Sequence, residues 1–114
     1  MTAVSEPDAS RPIAVVTTVA TLEEARRMAQ GIVERRLAAC AQVSQIESCY
    51  RWDGEVRNEA ECRIVFKTTG AVWDAIERAI RELHGYELPA IHALALDRVS
   101  APYAQWIVDN VGPD

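Results

Sequence analysis

The stretch IESCYRWDGEVRNEAECRIVFK, Ile46 to Lys67, decides how this chain folds. At its centre lies Asp53-Gly54, a dipeptide that favours a type I′ hairpin turn because both central residues of that turn need positive φ. Before the turn, Ile46, Ser48, Tyr50 and Trp52 fall on one face of an extended segment. After it, Cys62, Ile64 and Phe66 share one face, and Arg63, Val65 and Lys67 the other. The two arms make a β-hairpin, and each can exceed the usual ~5–6 residues of a strand. Arms of that length reach past a small domain and expose unpaired backbone, which natural proteins cover. The hairpin is therefore a first indication of self-association.

Moving towards the N-terminus, Ile13 to Thr18 is a β-branched run, apolar on both faces, which predicts a central strand. Thr21 opens a helix, and Glu24 three residues on completes a capping box. Leu22, Ala25, Met28, Ala29, Ile32 and Val33 recur at helical spacing as its inner face. Moving towards the C-terminus, a second helix follows Thr69-Gly70, with Val72, Trp73, Ile76, Ala79, Ile80 and Leu83 inward. Gly85 stands where a helix end wants a left-handed residue. A fourth strand, Ile91 to Leu96, is apolar on both faces apart from His92. Pro102 suits a first helical turn, and Tyr103, Trp106 and Ile107 form one face of a short terminal helix.

Strand, helix, strand, strand, helix, strand is the βαββαβ order of an α+β, ferredoxin-like split βαβ sandwich. Both helices are expected on one face of a single sheet, with the long hairpin joining the second and third strands. Right-handed crossovers put the first and third strands in the middle. One domain is expected over 12–112, behind a disordered polar tail over 1–11, with a short C-terminal helix.

Composition narrows the function classes. At 114 residues, 49% apolar and 25% charged, the chain can close one hydrophobic core. A net charge of -5 and a single lysine, Lys67, without any basic run, argue against nucleic acid as a partner. No apolar run approaches a bilayer's thickness and no h-region opens the chain, so neither a membrane nor a secretory route is expected. Cys40, Cys49 and Cys62 are odd in number and lack CxxC spacing, which fits free thiols in a cytoplasmic setting.

No GxSxG, P-loop, HExxH or glycine-rich dinucleotide fingerprint is present, and nothing in the spacing makes a nucleophile–base pair of Cys40 and His84. The chain is therefore not expected to be an enzyme. Thiols and imidazoles suit copper and zinc, yet positions 40, 49, 62, 84 and 92 contain no local chelating pair. A metal site needs tertiary or intersubunit convergence, and on spacing alone these residues read better as ordinary core and strand positions. Leu83 to Pro89 gathers His84, Tyr86 and Glu87 in one loop, the kind of segment where binding residues collect. It reads equally as a helix end where His84 meets the dipole, followed by a turn imposed by Pro89.

Five motifs then occur in register: Leu37-Ala38-Ala39-Cys40, Ser48-x-Tyr50-x-Trp52-x-Gly54, Glu61 with Lys67-Thr68, His84-x-Tyr86-x-x-Pro89, and Tyr103-x-x-Trp106. Together they resemble the CutA divalent-ion-tolerance family from about Ile13 to Ile107. The resemblance implies a tight homotrimer whose hairpins reach neighbouring subunits, with a build similar to the PII-like signalling proteins. It also implies a part in divalent-metal, and especially copper, tolerance. On this basis an intersubunit cleft is expected, lined by Tyr50, Trp52, Glu61, Lys67, Tyr86 and Trp106, with His84 beside it. Lys67 would attract an anionic group and the aromatics would stack on a planar ligand. The same aromatics also read as interface contacts.

The chain departs from the family pattern at four positions, Thr17, Leu83, Gly85 and Ala90. His84-Gly85-Tyr86 replaces the family's usual His-Pro-Tyr, and Pro89-Ala90 its Pro-Glu. Copper-linked members carry a cysteine near the end of the first strand and a His-His pair, where this chain has Thr17 and Leu83-His84. Cu2+ or another divalent metal is accordingly expected to bind only weakly, through His84. The expected function is a binding or sensing protein associated with metal tolerance. The alternative is a PII-like protein that binds a small metabolite and has no metal role.

Overall fold

A computed structural model of the chain describes residues 9–113. Its elements are β1 (Pro12–Val19), α1 (Leu22–Glu34), β2 (Cys40–Trp52), β3 (Glu55–Thr69), a short 3-10 turn (Gly70–Val72), α2 (Trp73–Leu83), β4 (Ile91–Ala95) and α3 (Ala101–Asp109). The strands form one antiparallel sheet in the order β2-β3-β1-β4, with the first and third strands central as expected. The fold is the ferredoxin-like α+β arrangement. The tail expected over 1–11 lies outside the described residues as far as residue 8. The carbonyls of Ala9 and Arg11 accept from the N–H groups of Ala71 and Gly70.

The α1 and α2 helices cover one face of the sheet. Val15, Val19, Ile64 and Phe66 meet Met28, Ile32, Ile76 and Ile80 there, all at or near zero exposure. Each such side chain contributes about 1.5–3 kcal/mol on leaving water, so this layer drives folding. Thr21 caps α1 by accepting from the Glu24 N–H at 3.1 Å. The other half of the expected capping box does not form. Glu24 Oε2 accepts instead from Gly85 N–H at 3.2 Å, tying the start of α1 to the chain just past α2.

The end of α2 differs from expectation in two ways. Gly85 is not left-handed; positive φ among the described glycines occurs at Gly54 and Gly112. The helix stops because His84 turns extended, at φ -82 and ψ 140. Leu83, expected inward, is 39% exposed on the last turn. The fourth strand ends at Ala95 rather than Leu96, and His92 to Ala95 are exposed. It pairs with β1 alone and forms an edge of the sheet, as the central first and third strands require.

The second face of the sheet is covered at one end only. There α3 packs on β3 and β1, with Ile107 fully buried and Ala14 and Val16 nearly so. The Tyr103 hydroxyl lies 3.7 Å from Cys40 Sγ, and Gly112 N–H donates to Arg36 O. At the other end the hairpin continues alone. β1 leaves β3 at the Val19–Cys62 pair, while β2 and β3 go on pairing to Trp52–Glu55. The free ribbon is roughly 25 Å long at ~3.3 Å per residue. Asp53 and Gly54 close it at φ 52 and 79, as a type I′ turn requires.

Candidate functional site

Register places the chemistry. Directly opposed residues on antiparallel strands share a face. Ile46 faces Glu61, Ser48 faces Glu59, Tyr50 faces Arg57, and Trp52 faces Glu55. These side chains lie on the second face, away from α1 and α2, because Phe66 and Ile64 occupy the other parity on β3.

The chain after α2 folds back onto this strip. A ring nitrogen of His84, Nε2, is 2.7 Å from the Thr18 carbonyl, and Nδ1 is 3.1 Å from the Tyr86 N–H. A backbone amide always donates, so Nδ1 is the acceptor and the proton resides on Nε2, which donates to Thr18. With Gly85 held by Glu24, three hydrogen bonds fix residues 84–86. Tyr86 is thereby delivered to the sheet, where its hydroxyl donates to Glu61 Oε2 at 2.7 Å. Glu61 is 9% exposed, and a hydroxyl–carboxylate bond is among the stronger hydrogen bonds. Burial, the bond to Glu61 and that residue's charge together push the Tyr86 phenol well above its ordinary range. Hydrogen bonding to Glu59 pushes the exposed Tyr50 phenol up too.

Between strip and loop opens a cleft of about 740 Å³, walled by Tyr50, Trp52, Tyr86, Arg57, Glu59, Glu61 and Glu87 among others. That size suits a small organic ligand. Four of the sequence-predicted residues, Tyr50, Trp52, Glu61 and Tyr86, meet here. His84 stands behind the wall as the residue that orients Tyr86.

Lys67 and Trp106 do not join them within one chain. Lys67 Nζ donates to Gln42 Oε1 at 3.0 Å, six residues along β3 from Glu61, a span of ~20 Å. Trp106 stacks on Tyr103 with ring centroids 5.8 Å apart, on α3 at the covered end. An anionic group in the cleft would find Arg57, not Lys67. Sequence reasoning missed Arg57 and Glu59. Stepping back by two residues from Glu61 along β3 finds both, since period-two alternation puts them on its face.

The donor set does not fit a resident metal within one protomer. Both ring nitrogens of His84 are engaged, and Cys62 is buried in the core. Thr17 points into the layer under the helices, its hydroxyl buried without a partner. Among the described residues no three His, Cys, Asp or Glu side chains stand close enough together to hold a metal ion. Cys40, opposite Lys67 and touching Tyr103, is four pairs along β3 from the Thr18–Arg63 pair where His84 docks, so the two form no nucleophile–base pair.

A family model described as CutA1 divalent ion tolerance protein matches residues 13–110. The divalent-cation tolerance protein CutA of Thermus thermophilus is 37% identical over 99 residues, which is 86% of this chain and 96% of its own length. The structure of CutA from Synechococcus elongatus is similar with a TM-score of 0.87 at 36% identity, covering 94% of this chain and 95% of that one. That of the periplasmic divalent cation tolerance protein CutA from Archaeoglobus fulgidus is similar with a TM-score of 0.86 at 28% identity, covering 89% and 99%.

Proposed function

The chain belongs to the CutA1 divalent ion tolerance family, and on that premise we propose that it is a homotrimeric binding or sensing protein, without catalysis, serving divalent-cation tolerance. The free hairpin carries this reading. Its ribbon extends past the sheet with Trp52 at 44% exposure and Tyr50 beside it. A two-stranded ribbon is marginal alone in water, so a neighbouring copy must supply what this chain's own core does not.

Two unlike patches of one face suit each other. The ribbon and cleft stand at one end, and Lys67, Tyr103 and Trp106 at the other. Contact between unlike patches is heterologous and closes as a ring when the rotation allows, a three-membered ring included. Such a ring unites Lys67 and Trp106 of one copy with the cleft of the next, completing the expected intersubunit site. The metal connection rests on the relatives' names. With both His84 nitrogens engaged, divalent ions bind only weakly and tolerance runs through what the cleft senses. A cytoplasmic location is supported by three unpaired thiols; the Archaeoglobus relative is called periplasmic. Light scattering at micromolar concentration tests the assembly. Three chains per particle are expected, and a monomer overturns the reading.

A further inference from the structure

The cleft's charge is opposite to what a site for anions needs. Three carboxylates, Glu59, Glu61 and Glu87, face it against one guanidinium, Arg57. Arg57 already has Glu55 at 3.8 Å, and even with Lys67 of the next copy brought in by the proposed ring the carboxylates outnumber the cations three to two. The remaining walls are aromatic: Tyr50, Trp52 and Tyr86. Resting on the reading of this cleft as a ligand site, we infer that its ligand is an organic ammonium ion, held over the aromatic faces and balanced by the carboxylates.

Ring faces carry the negative part of the aromatic quadrupole, and a cation over them is attracted most strongly where water is excluded. Here the rings are also electronically primed. Tyr86 donates its hydroxyl to Glu61, and the Tyr50 phenol feels the neighbouring Glu59 carboxylate, which pushes it up. A phenol whose proton leans on a carboxylate places more density in its ring. Both phenols keep their protons near neutral pH, since both are shifted upward. Glu61 retains acceptor capacity after receiving Tyr86, because an ionised carboxylate offers about four lone-pair positions. A small hard metal ion is served less well. It demands several oxygen ligands in fixed geometry or keeps its waters, and aromatic walls provide neither.

The test uses the assembled protein and two probes of one shape. Choline carries a trimethylammonium group; its neutral analogue carries tert-butyl in the same place. Binding is followed by titration calorimetry and by the NMR shift of the Trp52 indole N–H. Choline is expected to move that resonance saturably at millimolar concentrations, with the neutral analogue roughly tenfold weaker. Glu59 is exposed, so Glu59→Gln leaves the fold intact and should weaken choline several-fold without changing the analogue. Equal binding of the two probes, no response of Trp52 to choline, or displacement of choline by stoichiometric magnesium would each overturn the inference. So would a planar carboxylate such as benzoate binding in choline's stead through Arg57, which would leave the binding-protein reading standing. A monomer in light scattering that still binds choline removes the assembled cleft and keeps the inference.

Discussion

The two ends of the sheet's second face make opposite use of similar residues. At one end α3 lies across β1 and β3, burying Ile107 with Ala14 and Val16. At the other, Tyr50 and Trp52 stand on a part of the ribbon that none of the described helices covers, and polar order replaces packing. There Tyr86 is held by His84, His84 by Thr18, and Glu61 by Tyr86. The covered end is stabilised by area removed from water, and the open end by directed bonds around a space left for something else. Packing and the open cleft are thus divided along one strand, β3, which runs through both.

Four measurements break or sharpen that division, ordered by expected effect. Ile107→Ala empties a fully buried site and should cost about 2–5 kcal/mol in urea unfolding. A cost below ~1 kcal/mol would mean α3 is an ornament and the two ends are alike. Trp52→Ala should leave the unfolding of a single chain nearly unchanged and weaken association by about 2 kcal/mol or more, read as a dilution midpoint in light scattering. A variant that stays assembled at nanomolar concentration contradicts the interface role of the ribbon.

Tyr86→Phe comes third. It leaves Glu61 without its donor at a cost of about 1–3 kcal/mol, nearer the lower figure because the cleft admits water. Its alkaline behaviour has a definite sign. The folded phenol is raised above the ordinary tyrosine value of ~10, so the unfolded chain loses that proton first. Stability from this group is complete below pH ~10 and declines as pH rises from there towards the folded value. Wild type should therefore lose stability more steeply than Tyr86→Phe above that pH; parallel curves would show that the phenol is not held. The smallest effect concerns metal. Copper titrated into wild type should give weak heats that vanish in His84→Ala, and tight stoichiometric uptake would reveal ligands converging from several chains.

Much of this was readable beforehand, for local reasons. Asp53-Gly54 dictates its turn, Thr21 its cap, and alternation carries Tyr50 and Trp52 to one face. What escaped depends on contacts distant in sequence. Nothing in Glu24 says that it will serve Gly85 rather than its own helix, and nothing in His84 says that its partners are backbone groups at 18 and 86. Arg57 and Glu59 gain meaning only once Tyr86 docks on Glu61 and a cleft forms beside them. The distance between Lys67 and Glu61, by contrast, was available from strand geometry alone, and six residues place them too far apart for one cleft in one chain.

The pairing of β2 with β3 proceeds from Cys40–Lys67 to Trp52–Glu55 without a bulge. Such a ladder can change length at its tip without disturbing its base. Removing or adding one residue on each arm beside Asp53-Gly54 moves the tip by ~3.3 Å and leaves every pair below in place. A single residue added to one arm alone must either bulge or carry one arm's side chains to the wrong face. Hairpin length is therefore a dial with discrete steps, turned in pairs. In the ring proposed above it would set how far one copy extends towards the next while the pocket keeps its own chemistry.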